Sequence, residues 1–132
     1  MQKPQDFDWV TARHKCSLPA VFRVLSEIID TNVKKANELV EAGAFERNVT
    51  ENKVIVIRHR CNAASSVVFT LEPNAISVKR VNQAGAEKAV FTAKPALTTD
   101  GECVLEINDR PMQPLELWQV CRLALEDFFF GG

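Results

Sequence analysis

The sequence predicts an α+β domain in which a single antiparallel sheet of five to six strands, connected as a meander, is packed by an N-terminal helix or helix pair and a C-terminal helix. Three observations predict this class. Apolar residues recur at helical spacing over residues 19–42, alternate in short stretches over residues 54–107, and return to helical spacing over residues 115–129. With 132 residues the chain has the usual size of one domain, so we expect residues 1–132 to form a single α+β domain.

The composition is that of an ordinary globular protein. Apolar residues make up 46% of the chain, charged residues 25%, and the formal net charge is −1. These values exclude a disordered chain and give no strong field for gathering nucleic acid. The first residues do not form a signal peptide, and no apolar stretch approaches the ~20 residues that cross a bilayer. We therefore expect a cytoplasmic protein with reduced cysteines and without a nucleic-acid or membrane partner.

The N-terminal third is interpreted as a strand followed by helix. Residues 8–16 are predicted to form the first strand. Ser17 then offers a hydroxyl as helix N-cap, and Pro19 falls in the first helical turn, where its missing N–H costs nothing. An unbroken helix over residues 19–42 would be about 36 Å long. Because that is long for so small a domain, a break near Thr31 into two helices is left open.

The middle of the chain is predicted to be strands joined by tight turns. Asp100-Gly101 is the strongest hairpin signal. Residues 108–111 are expected to end the sheet, and Pro114 to open the last helix over residues 115–129. The expected strands are 54–61, 66–71, 75–81, 88–93, 96–99 and 102–107. This element order resembles helix-grip ligand-binding folds, and also cystatin-like folds, in which a sheet wraps one helix.

Both histidines of the chain lie in the pattern His-x-Cys, as His14-Lys15-Cys16 and His59-Arg60-Cys61. On a strand, residues two apart point the same way, so each pair would present a nitrogen and a sulfur to one metal ion. If the two strands were neighbours, a two-His, two-Cys tetrahedral site for zinc or iron would result. The alternative interpretation is that the cysteines fill the core and the histidines mark strand ends.

The same residues also form a candidate Cys–His nucleophile pair. Neither cysteine lies at a recognisable helix N-terminus or nucleophile elbow, the settings that lower a thiol pKa. The sequence has no glycine-rich phosphate loop, no Gly-x-Ser-x-Gly and no His-Glu-x-x-His. We therefore expect no cofactor, and the sequence favours a non-enzymatic protein.

Residues 18–60 resemble a winged-helix DNA-binding module, with two helices followed by a strand. The resemblance implies that the second helix would enter the major groove. Its solvent face would carry Lys34 and Lys35 beside Glu38 and Glu41. This mixture of charges is poorly suited to phosphate binding, so DNA regulation is kept as the alternative function.

Two basic residues of the strand ending at Cys61 are candidate binding residues. Arg58 and Arg60 are expected on the same strand face, with Lys79 and Arg80 on a nearby strand. Such positive charges suit an anionic ligand or an acidic partner. The alternative is that they simply solvate one end of the sheet.

The C-terminal helix supplies the remaining candidate binding residues. Trp118 lies on its apolar stripe, and Phe128, Phe129 and Phe130 end it. Burying a phenylalanine stabilises by about 1.5–3 kcal/mol, so three of them are not expected to lie in water. They would either close the base of the core or meet a second chain in a homodimer.

Taken together, these features predict a non-enzymatic binding or interaction domain. It would use an apolar groove or its C-terminal helix, and its partner would be a second copy, another protein or an apolar small molecule. The alternatives are the winged-helix regulator and a metal-binding or Cys/His enzyme that uses the two His-x-Cys pairs.

Overall fold

The computed structural model describes residues 7–60 and 63–131 and belongs to the α+β class. Its sheet has seven antiparallel strands rather than the five to six expected. The helices are α1 (Trp9–Lys15), α2 (Leu18–Leu39) and α3 (Leu117–Phe130). The strands are β1 (Phe45–Val49), β2 (Lys53–Arg60), β3 (Ala63–Leu71), β4 (Ile76–Val81), β5 (Glu87–Leu97), β6 (Cys103–Ile107) and β7 (Arg110–Leu115).

The strands follow one another across the sheet in chain order, each antiparallel to the next, so the predicted meander is confirmed. The predicted hairpin at Asp100-Gly101 joins β5 to β6. Gly101 has a φ of 84°, a backbone conformation that a side chain would strain. The register shifts between Val78 and Lys79 in the β4–β5 pairing and between Leu105 and Ile107 in the β6–β7 pairing, and such irregularities bend the sheet locally.

The first predicted strand is wrong, because residues 9–15 form helix α1. Asp8 is its N-cap and accepts a hydrogen bond from the Thr11 amide at 3.0 Å, and this cap outweighs the strand preference of Trp9 and Val10. None of the residues of α1 is buried, so the rest of the chain adds little to hold it.

Helix α2 is continuous, so the structure decides between the two alternatives left open for this segment in favour of one unbroken helix. Ser17 occupies the N-cap position and a proline stands in the first turn, as expected, but the Ser17 hydroxyl makes no capping hydrogen bond. The Thr31 hydroxyl turns inward along the helix and donates to the Glu27 carbonyl at 3.3 Å. The Thr31 hydroxyl therefore does not cap a second helix. A winged-helix module needs two helices in this segment, and the structure has one.

The expected strands 88–93 and 96–99 form one continuous strand, β5. The sheet also contains two strands that the sequence did not predict, β1 and β7, and they form its two edges. Strand β7 contains Pro111 and Pro114, and proline is tolerated only where a backbone N–H need not join the ladder. The expectation that residues 108–111 end the sheet and that Pro114 opens a helix is therefore wrong. Strand β2 is second from the edge.

The free edge of β1 is bound by a side chain of α2. The Asn37 amide nitrogen donates to the Phe45 carbonyl, and the Phe45 amide donates back to the Asn37 oxygen, both at 2.9 Å. One carboxamide therefore satisfies both backbone groups of an edge residue. Farther along β1, the Arg47 guanidinium donates to the Ser26 carbonyl at 2.9 Å, which ties the strand to α2 at a second point.

The core lies between one face of the sheet and helices α2 and α3. Alternate strand residues point into it, as the period of two requires. The fully buried side chains include Leu25, Ile29, Val54, Val56, Val67, Phe69, Ile76, Val78, Leu105, Ile107 and Leu125. These positions fix which face of α3 is covered, and so they decide which of its phenylalanines remain outside.

A disulfide joins Cys16 to Cys103, so the prediction that all four cysteines are reduced thiols is wrong. The bond connects the junction of α1 and α2 to the start of β6, across a sequence separation of 87. Cys121 is free and buried. The expectation of a cytoplasmic protein rested partly on reduced thiols, and it loses that support.

No helix within residues 7–60 and 63–131 is long and apolar enough to cross a membrane.

Candidate functional site

An aromatic cluster marks the place where α2, α3 and the sheet meet. The ring centroids of Phe45 and Phe129 lie 4.9 Å apart in an edge-to-face arrangement, and Phe128 stacks obliquely on both at 6.2 Å. Phe128 and Phe129 are each only 7% exposed. Two of the three C-terminal phenylalanines therefore close the core, as one of the two interpretations predicted.

Phe130 lies outside the core and is 72% exposed. It lies one residue beyond the buried pair, and one helical position turns a side chain by about 100°. Trp118, at the other end of α3, is 52% exposed. Its indole N–H donates to the Glu116 carboxylate at 2.7 Å, so its polar atom is satisfied at the surface.

Arg58 holds the C-terminal ends of α2 and α3 together. Its Nη1 donates to the carbonyls of Phe128 at 3.1 Å and Gly131 at 3.2 Å, and its Nη2 pairs with Glu41 at 3.3 Å. Its guanidinium also lies 5.3 Å from the centre of the Phe45 ring. These contacts satisfy carbonyls that the last turn of α3 leaves without intrahelical donors. The candidate binding residue Arg58 is therefore placed where it supports the fold.

The candidate residue Arg60 ends β2, but its side chain is outside the described part of the structure. Arg58 points to the same face as the fully buried Val54 and Val56, as expected. Arg80 lies on β4, two strands away, with its guanidinium 5.9 Å from the centre of the Phe128 ring. Two of the predicted basic residues therefore face the aromatic cluster.

An open apolar groove runs between the C-terminal halves of α2 and α3, and we call it the α2/α3 groove. Its volume is about 240 Å³. Leu39 is 79% exposed, and together with Phe130 it stands at the edge of the groove. The charged residues along it are Lys35, Arg122 and Glu126. The apolar lining is formed by Ala36, Leu39, Val40, Cys121, Leu125, Phe129 and Phe130.

The groove is unsuited to thiol chemistry. Burial raises the pKa of the Cys121 thiol to about 12. At neutral pH this sulfur is protonated, and a protonated thiol is a poor nucleophile. The other polar side chains of the groove are the Asn32 carboxamide and charges that are already paired. Lys35 pairs with Glu38, and Arg122 bonds to Glu126 along the helix. The groove can therefore bind apolar groups but offers no reactive group to transform them.

The residues of the predicted metal site are placed differently from what the sequence suggested. His14 is exposed on α1, where residues two apart point about 200° away from each other rather than the same way. Cys16 is bonded to Cys103 and offers no thiolate. His59 Nε2 lies 3.1 Å from the Glu46 carboxylate on the exposed side of the sheet. Cys61 lies outside the described residues.

Within residues 7–60 and 63–131, no three histidine, cysteine, aspartate or glutamate side chains form a group that could hold a metal ion. The four-residue site as a whole remains a prediction, because one of its members is not described. The Cys–His enzyme alternative depends on the same residues and also remains a prediction.

Sequence reasoning missed one side of the groove. It placed Leu39 on the continuous apolar face of α2, which led us to expect a buried residue. The length of α2 could have indicated an exposed end, because the helix has 22 residues and the sheet covers only part of its apolar face. An apolar stripe that extends past its covering layer leaves its last turns exposed.

Comparisons of the chain with family models, with curated proteins and with solved structures give no match. The functional argument therefore depends on the groove and the surfaces around it.

Proposed function

We propose that this chain is a non-catalytic interaction domain that self-associates by packing its α2/α3 groove against the same groove of a second copy. The observation that carries this proposal is the open apolar groove with Leu39 and Phe130 standing exposed at its edge. Large apolar side chains grouped at a groove usually mark a contact surface.

The volume of the groove favours a side chain over a small-molecule ligand. Sites for drug-sized molecules typically enclose about 300–1,000 Å³, whereas the groove measures about 240 Å³. A cavity of about 150 Å³ is enough for benzene. The groove therefore has room for a single phenylalanine ring.

The chain itself provides that ring. Phe130 stands beside the groove and is 72% exposed, so each copy carries both the projecting side chain and the recess that receives it. A two-fold axis would place Phe130 of each copy in the groove of the other. The same axis lets Arg122 of one copy face Glu126 of the second copy, and the paired charges along α3 then match across the interface.

The expected dimer is weak. Burying two leucines and two phenylalanines yields roughly 6–12 kcal/mol, at about 1.5–3 kcal/mol for each side chain. Association costs an estimated 4–15 kcal/mol in lost freedom. The most favourable combination of these values leaves about 8 kcal/mol, which corresponds to a dissociation constant of about 1 µM and sets the upper limit of the affinity.

Sedimentation velocity from about 1 to about 200 µM, a range that spans micromolar affinities, tests the proposal. The wild-type chain should change from monomer to dimer across this range. Phe130→Ser and Leu39→Ser should each weaken the dimer by about tenfold or more, because each removes an apolar side chain worth about 1.5–3 kcal/mol.

Val49→Ser is the matched control, because Val49 is also half-exposed but lies on the edge strand β1, away from the groove. It should leave the dimer unchanged. A wild-type chain that stays monomeric over the whole range would disprove self-association. An equal loss of dimer in the Val49 variant would disprove the role of the groove.

A further inference from the structure

Two adjoining cavities lie on the sheet side of the C-terminal end of α3, and the α2/α3 groove does not include them. They measure about 200 and about 310 Å³. Ser65, Arg80 and Phe128 line both of them, so the pair forms one continuous recess, which we call the Arg80 site. The smaller cavity also includes Arg58, Gln83, Asp127 and Gly131, and the larger one includes Val81, Asn82, Ala86, Glu87 and Lys88.

Arg80 is a half-buried cation whose charge is not neutralised by a carboxylate. Arg47 and Arg58, the comparable arginines on the same side of the sheet, pair with Asp30 at 3.4 Å and Glu41 at 3.3 Å. Among the residues that the structure describes, Arg80 has no such ion pair, and its guanidinium lies over the ring of Phe128. Since partly buried charges are usually paired, this arginine is suited to an anion from outside the chain.

Arg58 also lines the recess, but its unsatisfied donor is enclosed. Its Nε–H is buried and makes no hydrogen bond to any described residue, although its other guanidinium nitrogens are bonded. Because this atom has almost no exposed surface, a ligand in the recess does not contact it. The polar contacts of the smaller cavity come from the Ser65 hydroxyl and the Gln83 amide.

The charged side chains that line the recess are three cations, Arg58, Arg80 and Lys88, and two carboxylates, Asp127 and Glu87. Their formal sum of +1 favours a single negative charge over a dianion such as phosphate. A carboxylate carries one negative charge and accepts two parallel hydrogen bonds from a guanidinium. The larger cavity adds apolar surface from Ala86, beside the Phe128 ring, where a hydrocarbon chain can lie.

We propose that the Arg80 site binds a small carboxylic acid, with its carboxylate on the Arg80 guanidinium and its hydrocarbon part against Phe128 and Ala86. This site is separate from the surface that we propose for self-association.

Titration of the isotope-labelled chain with hexanoate, followed by amide NMR shifts, tests the site. Shifts should concentrate at Ser65, Arg80 and Gln83. Acetate lacks the hydrocarbon part and 1-hexanol lacks the charge, so each should bind about tenfold more weakly than hexanoate. Inorganic phosphate should also bind more weakly, because of the two acidic residues in the wall.

Arg80→Gln should weaken hexanoate binding by about tenfold or more, since it removes charge-assisted hydrogen bonds. Lys79→Gln is the matched control: it removes a positive charge from the adjacent position, whose side chain points to the other face of the sheet, and should leave binding unchanged. Equal weakening in both variants, binding by Arg80→Gln at wild-type strength, shifts confined to the α2/α3 groove, or no saturable shift would each overturn the proposal. The amide spectrum of each variant reports whether it is folded.

Discussion

Removing the disulfide between Cys16 and Cys103 should lower the stability of the fold by several kcal/mol. The bond spans 87 residues of sequence. The chain-entropy relation for a closed loop of that length gives about 4.6 kcal/mol at 25 °C as the upper limit. Helix α1 depends most on the bond, because it buries none of its own residues. The double substitution Cys16→Ser and Cys103→Ser removes the bond without leaving a single reactive thiol.

Urea unfolding followed by circular dichroism measures this effect. With a denaturant slope of about 2 kcal/mol per molar, the full loss corresponds to a midpoint lower by about 2 M. Dithiothreitol should lower the wild-type midpoint to that of the double variant and should not affect the variant itself. Peptide mapping under non-reducing conditions should recover residues 16 and 103 in one linked fragment.

A wild-type midpoint that is the same with and without reductant, after mass spectrometry shows that the bond is reduced, would contradict the stabilising role of the disulfide. Recovery of a different cysteine pair in the mapping would disprove the assigned bond.

Three further predictions concern single side chains. Arg58→Ala should destabilise the fold by about 3 kcal/mol in urea unfolding, because it leaves the two terminal carbonyls of α3 without their donor. Arg58→Lys should recover little of this stability, since an ammonium cannot span both helix ends. Asn37→Ala should lower the free energy of unfolding by about 2 kcal/mol, and Asn37→Asp by a similar amount, because neither side chain can donate to the Phe45 carbonyl. Faster amide exchange of Phe45 would confirm the cause. The Lys34 ammonium, helped by Arg47, lowers the pKa of Asp30 below its usual 3.8. The resulting stabilisation is therefore present above pH 3.8 and is lost as the pH falls through the lowered pKa. Asp30→Asn should reduce the fall of the melting temperature at acidic pH. An unchanged fall would contradict the role of Asp30.

The parts of the fold that sequence predicted well are those in which one local signal dominates. Helix α2 has a long apolar stripe and a Ser17 cap, and the β5–β6 hairpin has Asp100-Gly101 at its turn. In both places the spacing of apolar residues and the turn chemistry agree, so no distant contact is needed to decide the structure.

The failures occur where two signals compete. Trp9 and Val10 favour a strand, but the cap at Asp8 makes the segment helical. Strand β7 carries two prolines, which favour an ended sheet unless the strand is known to lie at an edge. In β1, apolar and polar residues do not alternate, because the position that faces α2 between Glu46 and Asn48 is occupied by the charged Arg47.

The candidate sites could be predicted only in part. Helical spacing placed Phe128, Phe129 and Phe130 together, but only the packing of α3 shows that the third is outside the core. The pairing of Cys16 with Cys103 could not be read from spacing, since four cysteines offer six possible single pairs and the sequence distances favour none of them. The Arg80 site takes its residues from four strands, β2 to β5, and from α3, and their convergence is a property of the folded sheet.

The carboxamide of Asn37 has a consequence for how copies of this chain can meet. By occupying the outward amide and carbonyl of Phe45, it denies an incoming strand the first pair of bonds that it would need there. On the far side, the prolines of β7 lack the donors that would continue the ladder. Both routes to fibrous growth by strand addition are therefore obstructed, which leaves the helical layer as the favoured place for orderly assembly.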